Sequence, residues 1–169
     1  EVDITRGNLN PLPIAVSALY ADKDTKEILK KEIKIDQIGY EISSVIENNL
    51  KATGLFNPLE KKAFLQKPDV AHLKPRFEDW SLIKAQALIT GKVEFKDDKV
   101  RVEFRLWDVL AAREMLALAF TTVPNNWRRI GHIISDKIYE RLTGEKGYFD
   151  TRIIYVSEEG PKTKRVKKL

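Results

Sequence analysis

Residues 127–156, WRRIGHIISDKIYERLTGEKGYFDTRIIYV, join an amphipathic helix to a strand-like run through a glycine-bounded connector. Asn125 or Asn126 can cap the helix start by offering a side-chain oxygen to an unpaired backbone N–H. Trp127, Ile130, Ile134, Ile138 and Leu142 recur at helical spacing, while Arg128, Arg129, Asp136, Lys137, Glu140 and Arg141 take the other faces. Thr143 and Gly144 follow, and a glycine just past the last periodic residue can adopt the left-handed conformation that satisfies terminal carbonyls. From residue 149 to 156 the β-branched and aromatic content rises, which favours a strand. The stretch predicts a helix over about 126–143 and a joint between two architectures.

Upstream, residues 99–120 carry the clearest strand signal. Val100, Val102, Phe104 and Leu106 alternate with Arg101, Glu103 and Arg105, so one sheet face is apolar and the other charged. Residues 87–95 are apolar and β-rich before a polar hairpin connection, Lys96 to Lys99, and Leu116, Leu118 and Phe120 repeat the period of two after a turn at 110–114. A three-stranded meander results. Residues 14–20 are an almost continuous apolar run bounded by Pro13 and Asp22, the pattern of a strand buried on both faces. Asp36 caps a second helix over about 36–53, with Ile38, Ile42, Val45, Ile46 and Leu50 on one stripe and Thr53 and Gly54 at its end. Residues 55–58 are short and extended, and 77–85 form a short helix. Val2 and Ile4 alternate with Asp3 and Thr5 as a short edge strand. Residues 22–34 fit either a hairpin or a helical turn. The order predicts an α/β fold: a mixed β-sheet of four or five strands with two long helices on one face, followed by a C-terminal β segment.

A chain of 169 residues, 43% hydrophobic, supports one core rather than two full-sized domains. No run of 18 apolar residues occurs, so no direct membrane insertion is expected, and zero cysteines exclude disulfides and thiolate chemistry. The net charge of +5 is local: Lys162, Lys164, Arg165, Lys167 and Lys168 lie between Pro161 and Leu169 with no acid, leaving a body near neutrality.

Candidate chemistry is sparse. His72 sits in a proline-bounded loop and His132 lies off the apolar stripe of the last helix, and zinc sites ordinarily need three or four ligands. Asp97 and Asp98 read as turn residues, as do Glu158 and Glu159 before Gly160. No phosphate-binding glycine loop, GxSxG elbow or HExxH motif is present. No catalytic residue, cofactor or metal is expected. Gly39 and Gly131 inside helices each cost about 1 kcal/mol relative to alanine, which points to close backbone packing at both. Trp80, Trp107 and Trp127 are spread along the chain and read as core or interface anchors.

Several segments together resemble the TolB family of the bacterial Tol-Pal envelope system. They are EVDITRG at 1–7 with PLPIAV following, ATGLFNPLE at 52–60, Trp80 and Ser81 leading to ALITGKV at 87–93, and nearly all of 127–156. Residues 22–34 look longer than the family pattern. The resemblance implies a periplasmic α/β domain over 1–147, with 148–169 forming a linker and the first strands of a β-propeller that the chain does not complete. It implies a non-enzymatic interaction role between the inner-membrane protein TolA and the outer-membrane lipoprotein Pal. By position, the TolA contact maps onto Glu1, Val2, Asp3, Ile4, Thr5, Arg6 and Gly7, and Pal would bind the missing propeller. The domain hinge maps onto Gly144, Lys146, Gly147, Phe149, Thr151 and Arg152. The family domain is similar in fold to anticodon-binding domains of some tRNA ligases, so a nucleic-acid module is the alternative, although no nucleic acid is expected. A hydrolase or metal enzyme ranks third.

Overall fold

Hydrophobic alternation and helical stripes assemble a five-stranded mixed sheet in this computed structural model, which describes residues 10–151. In chain order the elements are β1 (Leu12–Val16), α1 (Lys23–Ile33), α2 (Ile38–Ala52), β2 (Phe56–Pro58), α3 (Pro68–Ala71), α4 (Phe77–Leu82), β3 (Ala87–Lys96), β4 (Lys99–Asp108), β5 (Arg113–Thr122) and α5 (Trp127–Thr143). Short 3-10 turns at Lys61–Ala63 and Pro124–Asn126 complete the order. The strands lie as β2-β1-β3-β4-β5. β1 pairs in parallel with β2 and β3, and β3, β4 and β5 form the antiparallel meander.

The expected alternation sets which face is core. Val100, Val102, Phe104 and Leu106 are buried, and they meet Ile14, Val16 and Ile89 from the neighbouring strands in one cluster. α2 and α5 close that face through Ile42, Ile46, Ile130, Ile134 and Ile138, all of them buried. Fully burying each such side chain contributes about 1.5–3 kcal/mol. Arg101 is exposed on the opposite face as expected, whereas Glu103 is half-buried and pairs with Arg101. Asp97 and Asp98 join β3 to β4 with φ of 54° and 62°. Left-handed geometry at both positions is the two-residue turn whose twist matches that of the flanking strands.

Both helical glycines sit at close approaches, Gly39 against backbone and Gly131 against a side chain. A Cβ on Gly39 would lie 1.8 Å from the Leu19 carbonyl oxygen, and one on Gly131 would lie 2.8 Å from Val45 Cγ1. The first glycine lets α2 rest on the chain leaving β1, and the second lets α5 rest on α2.

A second, smaller cluster covers part of the other sheet face. The connection from β2 to β3 crosses it, bringing Ala71, Trp80 and Ala85 against Ala15, Leu88 and Val109. Trp80 is fully buried, and its indole N–H donates to Gln66 Oε1 at 2.8 Å. The same oxygen accepts the Arg76 N–H, and Gln66 Nε2 donates to the Lys74 carbonyl, so one buried amide organises the loop around the tryptophan.

Several local expectations need correction. Residues 22–34 are largely the helix α1: the Asp22 carboxylate accepts the Thr25 N–H at 2.8 Å, and Leu29 is buried in the main core. Asp36 does not cap α2, which starts after Gln37 without a side-chain cap; Asp36 instead pairs with Lys30 at 3.5 Å. Asn126 stands at the start of α5 but also provides no side-chain cap, since the 3-10 turn carries the chain into the helix and its amide donates to Thr122 Oγ1. β1 ends at Val16 rather than at residue 20, although Tyr20 returns to the sheet through an isolated bridge to Lys92. The edge strand expected at residues 2–5 and the β segment expected from residue 152 lie outside the described residues.

Candidate functional site at the C-terminal connector

α5 carries Arg129, Asp136 and Glu140 on a stripe away from the main apolar one, and the chain beyond the helix returns along it. Gly144 makes the reversal with φ 79°, and its N–H donates to the Glu140 carbonyl at 2.9 Å. This is the left-handed glycine stop read from the sequence. Gly147 N–H then donates to Glu140 Oε2 at 3.0 Å. The two oxygens of Asp136 accept separate backbone donors, Phe149 N–H at 2.7 Å and Asp150 N–H at 3.1 Å. Asp150 is itself buried and accepts from Arg129 Nε at 3.2 Å.

Packing completes the arrangement. A Cβ on Gly147 would lie 2.6 Å from Asp136 Cα, so only a residue without a side chain passes the helix this closely. Tyr139, Tyr148 and Phe149 form a ring cluster with centroids 4.6–6.0 Å apart. Burial raises the Asp136 carboxyl above its ordinary range, and the nearby Asp150 and Glu140 push it the same way, while the Phe149 and Asp150 amides oppose the shift.

Beside this cluster, His132 Nδ1 stands 2.9 Å from Asn49 Nδ2, which also donates to Ser135 Oγ at 3.0 Å. This contact bridges α2 to α5. Burial lowers its pKa, Arg128 adds to the effect, and the Asp150 and Asp136 carboxylates oppose it. A depressed histidine contributes stability that is present above its ordinary pKa and is lost as pH falls through the folded value. Wild-type protein should therefore lose stability relative to His132→Gln below about pH 6.5. Urea titrations of both proteins across that window check this; parallel curves would refute it.

Of the residues expected at a hinge, Gly144, Gly147 and Phe149 are drawn together against α5, while Lys146 and Thr151 are exposed. Arg152 and the expected partner-binding residues 1–7 lie outside the described residues. The sequence reading missed Arg129, Asp136, Glu140 and Asp150 as a group. Their signal is a polar stripe on an otherwise amphipathic helix, followed by a glycine-rich return.

The uncovered sheet face is neutralised internally. Lys92 pairs with Glu94 at 3.3 Å, Arg101 with Glu103, and Arg105 with Glu114 at 2.6 Å. His72 stacks on Tyr20 with centroids 4.6 Å apart at its margin. Among the described residues there is no group of three or more His, Cys, Asp or Glu able to hold a metal ion. No described helix is long and apolar enough to cross a membrane.

Fold and site together define an α/β module whose last helix holds the backbone of the chain that follows it. Residues 1–115 match the family model of the TolB amino-terminal domain, and the chain belongs to that family. All 169 residues align at 77% identity with the Tol-Pal system protein TolB of Pelagibacter ubique (strain HTCC1062), and the chain spans 38% of that relative's length. The crystal structure of TolB from Acinetobacter baumannii superposes with a TM-score of 0.65 at 20% identity, covering 89% of this chain and 33% of that one. A point variant of the PelC dodecamer from Paraburkholderia phytofirmans gives 0.51 at 16% identity, covering 83% and 93%. At these identities the two structures bear on the fold alone.

Proposed function

We propose that this chain is the amino-terminal interaction domain of a Tol-Pal system protein, acting without catalysis in the periplasm between TolA and Pal in support of outer-membrane integrity. The observation that carries the reading is the 77% identity to a TolB protein over every residue of the chain. In this reading the domain proper is 1–147, and 148–169 lead into a β-propeller that carries the Pal contact. TolA binds the N-terminal segment, Glu1 to Gly7, whose alternating Val2 and Ile4 suit addition to a partner's sheet edge. The nucleic-acid alternative loses ground on the open sheet face, where Arg101 and Arg105 are each paired with a glutamate instead of being gathered for phosphate contacts.

Deleting residues 1–7 tests the assignment. The deletion should weaken binding to the C-terminal domain of TolA at least about tenfold, a change of about 1.4 kcal/mol, in titration calorimetry. Thermal unfolding followed by circular dichroism should shift little, because among the described residues the strands and helices from Leu12 to Leu142 already form one buried cluster. Unchanged affinity would sink the assignment, and loss of the folded signal would make the segment structural.

A further inference from the structure

We propose that residues 144–150 are a clamp rather than a hinge, so that the segment up to Asp150 moves with α5 as one body. The inference is independent of which partner the domain binds. A hinge needs backbone with few contacts, whose dihedrals change at low cost. The backbone here is tied instead. Three donors of the return segment, the amides of Gly147, Phe149 and Asp150, end on two carboxylates of one helix. Hydrogen bonds to charged groups are stronger than those between neutral ones, so each of these ties resists opening more than an ordinary loop contact. The Arg129–Asp150 pair is buried at both ends, at 8% and 3% exposure, so opening it leaves a charge without its partner in a desolvated site. Gly147 fits the segment against the Asp136 backbone with no room for a side chain. Contacts from Arg129, Asp136 and Glu140 thus fix the direction in which the chain leaves the domain.

The geometry also explains the choice of residue types. Asp136 must present both oxygens within reach of two successive amides, which a short carboxylate rooted on a helix can do. Glu140, one turn later on the same stripe, reaches the earlier amide of Gly147. The return runs antiparallel to α5, so later residues of the segment meet earlier residues of the helix, and Asp150 arrives at Arg129.

The test is amide hydrogen exchange on the 169-residue chain. In wild type the Phe149 and Asp150 amides should be protected at least about tenfold over their intrinsic rates. Asp136→Ala should remove that protection while leaving β4 amides unchanged, and Glu140→Ala should release Gly147 alone. Wild-type amides exchanging at intrinsic rates would overturn the clamp, and this arm needs no variant to fold. The absence of native cysteine permits a second readout. Nitroxides at Lys51→Cys and Thr151→Cys should report a narrow distance distribution that broadens with Asp136→Ala. A distribution already as broad in the otherwise wild-type background would show that the segment does not move with α5 and refute the proposal.

Discussion

Gly39→Ala is expected to destabilise the domain by about 3 kcal/mol, the upper part of the usual range for overpacking. The added methyl would sit 1.8 Å from the Leu19 carbonyl oxygen and 2.8 Å from its carbon, both backbone atoms that cannot rotate away. Relief requires moving the first turn of α2, which breaks the 3.2 Å bond from Leu19 N–H to the Gly39 carbonyl. That turn also seats Ile38 and Ile42, both fully buried. The higher helix propensity of alanine, about 1 kcal/mol, does not compensate. Equilibrium urea unfolding measures the change, with Glu41→Ala on the same helix as a control expected within about 0.5 kcal/mol. A loss below about 1 kcal/mol at Gly39, under the usual overpacking range, would show that the contact yields by small shifts.

Trp80→Ala should cost about 3–5 kcal/mol, the range for removing a large aromatic from a core. Trp80 holds the second cluster together, touching Phe64 edge-on at 5.0 Å and donating to Gln66. Its loss opens a cavity and leaves the buried Gln66 oxygen with the Arg76 amide alone. Native domains retain only about 5–15 kcal/mol, so the variant should unfold at markedly lower urea. Replacing Trp107, which is half-buried and bonds Thr90 Oγ1 at 2.9 Å, should cost less. Equal losses at the two tryptophans would show that Trp80 is not the main anchor of the second cluster, against which Trp107 also packs.

The parts of this fold that are legible in sequence are those governed by local periodicity. The β4 alternation, the apolar stripes of α2 and α5, and the glycine stop at Gly144 each depend on residues a few positions apart. α1 escapes such a reading because its stripe is thin: Leu29 is buried while Ile28 next to it is exposed, and lysines and acids fill most of the rest. Its available signal is Asp22 with Thr25, a cap that the structure forms. The apolar run at 14–20 reads as one strand because burial is its only visible cause. Residues 18–21 are apolar for a different reason, since Leu19 lies beneath Gly39 of α2 and against the sheet at Gly91. The clamp is illegible because its partners stand 7 to 21 positions apart around a reversal, where neither helix nor strand period applies.

The strand order β2-β1-β3-β4-β5 also bears on how the chain acquires its structure. β3, β4 and β5 pair through short turns, with Lys96 against Lys99 at the first of them, so the meander requires only small loops to close. β1 must find Ala87 from Ile14, across two helices and the whole crossover, before a single parallel bond to β3 forms. Closing a longer loop costs more entropy before contacts repay it, and non-local pairings of this kind slow folding. The antiparallel half is therefore the natural template, and β1 joins it late. On a ribosome the order is enforced, because β1 emerges before β3 and cannot join it until α1, α2, the crossover and β3 have all been made.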